Sequence, residues 1–187
     1  MESKLDGFIL TVLGFTNVKI PNPDTALKEL RSKFVDLEVQ IMRADRVAGL
    51  EHLSLAAENA VRAIAQRRER SKSVAMETLL FTSGQRQISK ALGRLGVTPQ
   101  SKDIAVAIFS RKPLNVDETS SLVQSVLGGK RQDSVIDISS NKKIRELCKS
   151  YGISSEESDA AQLPSEKIDS VIKRLIVERS ALLSSGT

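Results

Sequence analysis

Two kinds of segment alternate along the chain, and this alternation restricts the fold more than any other feature of the sequence. Residues 103–109 (DIAVAIF) form a nearly continuous apolar run, which is typical of a strand at the centre of a sheet. Residues 48–67 instead carry apolar side chains at the spacing of one helix face, namely Leu50, Leu53, Ala57, Ala60, Val61 and Ile64. We therefore expect an α/β (α+β) fold in which several helices pack on a small mixed β-sheet.

The remaining segments extend this pattern over the whole chain. Further strands are predicted at 8–15, 37–42, 74–81 and 134–138, the third being a strand or an extended stretch. Further helices are predicted at 25–33, 86–95, 115–127, 141–151 and 165–183, with a short turn or helix at 156–161 and a frayed end over 184–187. A length of 187 residues suits one domain, so residues 1–187 are predicted to form a single domain. Only 3% of the residues are aromatic, which indicates an aliphatic core.

The cysteine content and the lengths of the apolar runs restrict the cellular compartment in which such a chain can function. Cys148 is the one cysteine in the sequence, so the chain cannot close an internal disulfide, and a reducing compartment is expected. No apolar run approaches the roughly 20 residues that a membrane helix needs. The first residues lack the pattern of a signal peptide. These observations predict a cytoplasmic protein with no membrane association.

The sequence contains no motif that is typical of an enzyme. It has no glycine-rich phosphate loop, no nucleophile elbow and no Cys/His cluster with metal-ligand spacing. His52 and Glu77 are the residues on which an unrecognised catalytic site would depend. Glu77 lies in an apolar stretch, however, and is predicted to be partly buried and paired with a nearby arginine. We therefore predict no catalytic residue, no metal site and no cofactor.

The basic residues are better organised than the acidic ones. The net charge is +5, which favours polyanionic partners. Arg86, Lys90 and Arg94 recur every four residues and so share one face of a predicted helix. If the turn at Gly84 brings this face close to the preceding loop, its cations join the loop cations Arg67, Arg68, Arg70 and Lys72 in one RNA-binding surface. Since aromatic residues are not interleaved with these cations, base contacts would come from aliphatic side chains, arginine planes or the His52 ring.

One short motif within this basic region is more informative about the protein family than the amino-acid composition is. Residues 83–88 (SGQRQI) follow Met76-Glu77 and precede Ala91 and Gly96. Matching segments occur upstream at 40–44 and 47–53, and downstream at 151–157 and 177–183. In this order the segments resemble the PRPK-binding protein family, which supplies an accessory subunit of the KEOPS (EKC) complex, and they are more similar to its archaeal members than to its fungal ones.

The resemblance implies a function in tRNA modification. KEOPS helps to place threonylcarbamoyl on an adenosine next to the tRNA anticodon, and a different subunit performs the transfer. The family binds the PRPK-type kinase/ATPase of the complex, through it contacts the transferase, and recruits tRNA by the 3′ CCA end. The chain would then be a non-catalytic, tRNA-binding and kinase-binding subunit. The alternative is an interaction module that binds and regulates the kinase without binding RNA.

The resemblance also suggests individual site residues. Arg86 and Gln87 would contact phosphate and a base edge, and Gly84 would let backbone approach the ligand. The other residues predicted to bind RNA are Lys90, Arg94, His52, Lys72 and Arg70. Leu182 and Leu183 are the candidates for the kinase contact, although a tRNA contact by the C-terminal helix is equally compatible with the sequence.

Overall fold

The computed structural model describes residues 1–185. The strands are β1 (Glu2–Leu5), β2 (Phe8–Thr16), β3 (Glu38–Arg43), β4 (Ile104–Ser110) and β5 (Lys130–Arg131). The helices are α1 (Pro23–Lys33), α2 (Leu50–Ala65), α3 (Val74–Ser83), α4 (Ile88–Leu95), α5 (Val116–Leu127), α6 (Asn141–Tyr151), α7 (Ser155–Ala161) and α8 (Ile168–Ser185). Short 3-10 helices occur at Ala44–Arg46 and Asp133–Ile136. The frayed end predicted for 184–187 lies partly outside the described residues, and α8 continues through Ser185.

The strands form one sheet, which confirms the predicted α/β class. The strand order is β1-β2-β4-β3, and β5 pairs with the end of β2. Every pairing in the described residues is antiparallel, whereas a mixed sheet was expected. Ala107 of β4 lies opposite Val12 on one side and opposite Gln40 on the other, so β4 is the central strand that its apolar sequence predicted.

Helices cover both faces of this sheet. On one face α1 and α5 pack through Leu30, Val123 and Leu127 against alternate strand residues such as Val106, and Phe34, just after α1, belongs to the same cluster. On the other face lie α2, α3 and α4, whose apolar residues pack against the intervening strand positions such as Ala105 and Ala107. The period of two along each strand explains why neighbouring residues belong to different cores. A third cluster joins α6 to α8, beside the 3-10 helix at Ala44–Arg46.

Residues 74–81 form part of helix α3, so the predicted strand or extended stretch there is wrong. Ser73 caps the helix, because its Oγ accepts a hydrogen bond from the Met76 amide at 3.2 Å. Of the ten residues of α3 only Met76 is not fully buried. A helix that is buried on every side shows no amphipathic period, and its apolar run is indistinguishable by pattern from a buried strand.

The strand predicted at 134–138 is also wrong, and β1 was not predicted. Residues Asp133–Ile136 form a 3-10 helix that follows β5. The Asp133 carboxylate accepts a hydrogen bond from the Gly14 amide at 3.0 Å, so this turn docks on β2. A Cβ at Gly14 would lie only 2.7 Å from the Gln132 carbonyl oxygen, which explains the glycine in an otherwise apolar strand.

No helix in the described part of the chain combines the length and the apolar character that crossing a membrane requires.

Candidate functional site

The SGQRQI string connects the end of α3 to the start of α4. Gly84 adopts a left-handed conformation with φ of 63°, and the amides of Gly84 and Gln85 donate to the last turn of α3. A Cβ at Gly84 would meet no atom closer than 3.7 Å, so its backbone conformation, not lack of space, favours glycine here. Gly84 is thus the C-cap of α3 and sets the direction in which α4 leaves, while the predicted approach of its backbone to a ligand stays a prediction.

Helix α4 presents a surface of mixed apolar and cationic character. Ala91 and Leu95 are buried in the core. Ile88 and Leu92, one turn apart, are 41% and 42% exposed. Because α4 begins at Ile88, Arg86 precedes the helix, and the predicted cationic stripe is reduced to Lys90 and Arg94. Arg86 and Gln87 are nevertheless exposed at the start of the same helix.

A groove beside α4 collects cations from three parts of the chain. We call it the basic groove, and its cationic residues are Arg43, Arg46, Lys90, Arg94 and Lys149. The uncharged residues that complete its lining are Gln85, Gly93 and Ser150. Its volume is about 430 Å³, and no carboxylate belongs to the lining. Such a surface attracts phosphate groups.

The arginines of the basic groove are held in place by protein acceptors. Arg43 Nη2 lies 2.6 Å from Asp45, and Arg46 Nη2 lies 2.8 Å from the Glu146 carboxylate. Arg94 Nη1 donates to the Ser83 carbonyl at 2.6 Å, and its guanidinium lies 5.0 Å from the Tyr151 ring centroid. The guanidiniums therefore have fixed positions before any ligand arrives.

The surroundings of Arg94 disfavour its positive charge. Burial is the main cause that lowers the pKa of Arg94, and the nearby Arg179 and Arg46 lower it further, while Tyr151 has the opposite effect. Burial also raises the pKa of Tyr151 well above its ordinary value. An arginine remains charged under these conditions, so the crowding of guanidiniums favours an anion in the groove.

His52 lies in the interior, which corrects the prediction that its ring lines an RNA pocket. It is fully buried on α2. Its Nε2 lies 3.0 Å from the Thr82 carbonyl and 3.1 Å from Ser180 Oγ, and its Nδ1 accepts from the Ala48 amide at 3.3 Å. A carbonyl can only accept, so Nε2 carries the proton and donates to Thr82. The ring joins three helices and is not available to a ligand.

The loop over residues 67–72 does not contribute to the basic groove, so the predicted union of the loop with α4 is not observed. The loop precedes α3, whereas α4 follows the other end of this ten-residue helix, which spans about 15 Å. Lys72 is exposed and lines a different cavity with Arg31 and Glu38.

The guanidinium of Arg70 is bound by other groups of the protein. Its Nη1 lies 3.4 Å from the fully buried carboxylate of Glu77, and its Nη2 donates to the Leu183 carbonyl at 3.3 Å. The burial of Glu77 and its arginine partner confirm the structural role predicted for that carboxylate. The same contacts make Arg70 part of the interior rather than of a free basic surface.

The two leucines suggested for kinase binding have different positions. Leu182 is 66% exposed on α8. Leu183 is only 8% exposed and belongs to the core cluster that contains residues of α2 and α3, which corrects its assignment to a contact surface. Successive residues of a helix point about 100° apart, so two neighbouring leucines can differ in exposure in this way.

The sequence did not reveal Arg43, Arg46 and Lys149 as members of the site. They lie at the end of β3, in the following 3-10 helix and on α6, and they are isolated cations with no local pattern. Within the described residues, no group of three or more His, Cys, Asp or Glu side chains is arranged to hold a metal ion.

Comparisons with known proteins identify the family of this chain. Residues 15–184 match the model of the family described as kinase binding protein CGI-121. The chain is also similar to the regulatory protein Cgi121 of the archaeon Methanocaldococcus jannaschii. The two are 33% identical over 118 residues, which cover 62% of this chain and 73% of the relative.

Proposed function

The chain belongs to the CGI-121 kinase-binding protein family, and on this basis we propose that it is the accessory subunit of KEOPS that binds the kinase/ATPase of the complex and the 3′ CCA end of tRNA. Membership confirms the resemblance identified from residues 83–88 and the flanking segments. The family and its archaeal relative are described as kinase-binding and regulatory, which confirms the prediction that the protein is not an enzyme.

The surface of α4 is the observation that supports RNA binding. Arg86 and Lys90 are exposed there beside Ile88 and Leu92, each of which is about two-fifths exposed. The cations can neutralise phosphates, and exposed aliphatic side chains can pack on the faces of unpaired bases. A single-stranded RNA end offers both partners at once, whereas the bases of a duplex are stacked inside it.

The protein would act by positioning and not by chemistry. One surface holds the free 3′ end of tRNA, and another holds the kinase, so that the transferase subunit meets the anticodon loop of a tRNA already bound. Linking two binding surfaces in one assembly raises the effective concentration of tRNA at the transferase without a catalytic group on this chain.

Replacing Arg86 with glutamate tests the RNA contact. We expect Arg86→Glu to weaken tRNA binding by about 1 kcal/mol or more, since a charged hydrogen bond is lost and repulsion is added. A gel-shift titration with intact tRNA measures the change. Lys28→Glu is the matched control, because Lys28 is exposed on α1, on the opposite face of the sheet. Equal losses in the two variants would mean that net charge alone matters.

The same titration with tRNA that lacks the CCA end tests which part of the RNA is bound. We expect this shortened tRNA to bind the wild-type protein more weakly and to show little further loss with Arg86→Glu. If both tRNAs bind equally well, the proposed contact to the 3′ end is wrong.

A kinase-binding module without RNA binding is the second candidate function. It is favoured by the ion pairs of Arg43 and Arg46, which satisfy part of the positive charge of the basic groove within the protein. Leu182 on α8 is then the candidate contact, because it is 66% exposed. In a pull-down with the KEOPS kinase, Leu182→Glu should reduce capture, while Val35→Glu, at a 74% exposed position after α1, should not. Kinase capture without tRNA binding at physiological salt would select this alternative.

A further inference from the structure

We infer that β1 is a docking edge for a second copy of this chain, and that two copies pair their β1 strands antiparallel about a two-fold axis at Ser3. The two sheets would then join into one continuous sheet. The inference is independent of the proposed function, because β1 contributes no residue to the basic groove and lies far along the chain from α8.

The two outer strands of the sheet are β1 and β3, and the protein itself protects the β3 edge. The Val39 carbonyl accepts hydrogen bonds from Arg31 Nε and Nη2 at 3.4 and 3.3 Å. The Ile41 carbonyl accepts from Gln40 Nε2 at 3.3 Å. The four central residues of β3 are also buried. Side-chain donors and burial of this kind keep an edge strand from pairing with another chain.

The open edge of β1 carries the backbone groups of Glu2 and Lys4. Met1 and Val12 exchange two backbone hydrogen bonds, of 2.8 and 3.1 Å, so they form a hydrogen-bonded pair between β1 and β2. Such pairs recur at every second residue of an antiparallel ladder, which places Ser3 in the same class. The N–H and C=O groups of Glu2 and Lys4 therefore point away from β2, and both residues are exposed.

The sequence of β1 is complementary to itself in the antiparallel direction. With the axis at Ser3, Glu2 of one copy lies opposite Lys4 of the other, and the same pair repeats beyond the axis. Each pair can exchange both of its N–H···O=C hydrogen bonds, since these residues present their backbone groups outward. An axis at Glu2 or at Lys4 would instead place like charges opposite each other, which is destabilising. The charges thus select one register.

The surroundings of β1 admit a second copy although the chain has a net charge of +5. A cleft of about 350 Å³ lies between the end of β1 and the C-terminal half of α2, so this helix leaves the strand accessible. The charged residues that line the cleft are Lys4, Asp6, Glu58 and Arg62. Their charges cancel, which removes repulsion between copies at this edge. Leu5 lines the same cleft, and Met1 of the other copy would lie opposite Leu5.

Sedimentation equilibrium of the full chain tests the association directly. Two paired strands of four residues are small beside the roughly 1,200–2,000 Å² of a stable interface, so we expect a weak dimer. Over about 10 μM to 1 mM protein, the range of weak dissociation constants, the average mass should rise from 20.4 kDa toward twice that value. A constant monomer mass throughout this range would overturn the inference.

A charge exchange within β1 tests the register. Glu2→Lys and Lys4→Glu each turn two attractive pairs into repulsive ones, so each should raise the dissociation constant of the dimer by about tenfold or more. The double variant Glu2→Lys/Lys4→Glu has the composition of the wild type and restores opposite charges across the axis. We expect it to dimerise like the wild type. A double variant that associates as weakly as the single ones would show that the antiparallel pairing at Ser3 is wrong.

Proline substitutions test which edge of the strand is used. Lys4→Pro removes an N–H that points away from β2, and proline is tolerated at such edge positions. It should therefore weaken the dimer by about tenfold or more, because the same hydrogen bond is lost twice by symmetry, and change Tm little. Ser3→Pro is the matched variant, since it removes an N–H within the β1–β2 ladder and should lower Tm. A Lys4→Pro protein that dimerises like the wild type would refute the docking edge.

Discussion

Replacing Glu77 with glutamine perturbs the contact that fixes the 67–72 loop to α3. The Glu77 side chain is fully buried. Its Oε2 accepts from the backbone amides of Arg70 at 2.9 Å and Ser71 at 2.8 Å, and its Oε1 lies 3.4 Å from Arg70 Nη1. One carboxylate thus satisfies two loop amides and one guanidinium, and the change to an amide alters each interaction differently.

The size of the stability loss depends on which atom of the glutamine amide occupies the position of each carboxylate oxygen. The amide oxygen can occupy the Oε2 position and keep both backbone amides as donors, but as a neutral acceptor it forms bonds about half as strong. The NH₂ group then points at Arg70, donor against donor. Removing one partner of a fully buried pair costs roughly 3–5 kcal/mol. Because the Arg70 side chain is 26% exposed and can turn to water, we expect a smaller loss of about 2 kcal/mol.

Urea unfolding followed by circular dichroism measures this loss. A loss of this size also corresponds to a decrease in Tm of about 4–8 °C for a chain of this length. Glu58→Gln is the control, because Glu58 is exposed on α2 and loses the same charge. If Glu77→Gln is no less stable than Glu58→Gln, the buried carboxylate does not hold the loop and the reasoning fails.

Two further predictions concern stability. The pKa of His52 is lowered from 6.5 to about 4 by burial, so the unfolded chain binds more protons between these values. Stability should therefore fall by about 2 kcal/mol from this residue as the pH drops from 7 to 5. His52→Gln should remove that part of the pH dependence in urea titrations, and parallel curves for the two proteins would contradict the assignment. Gly84→Ala should destabilise the protein by about 1–2 kcal/mol, because alanine at a φ of 63° is strained while its Cβ meets no close atom. Calorimetry that shows no decrease in Tm would be inconsistent with this cause.

Local pattern was sufficient for much of the fold. The apolar run over 103–109 identified β4 as central, and the stripe on α2 identified its buried face, because each depends on the period of a single element. The buried helix α3 could not be recognised in this way. It is buried on all sides, and that burial is created by α2, α4, α8 and the sheet around it.

The sequence by itself determined the family, the aliphatic core and the cationic character of the 86–94 region. These depend on residue identity and on neighbours along the chain. Only the tertiary structure decided which cations share a surface. It separated Arg70 and Lys72 from α4 and placed His52 and Leu183 in the interior. It also brought Arg43, Arg46 and Lys149 to the basic groove. The physical reason is that the charge on a surface depends on distances in space, and packing sets those distances between residues far apart in sequence.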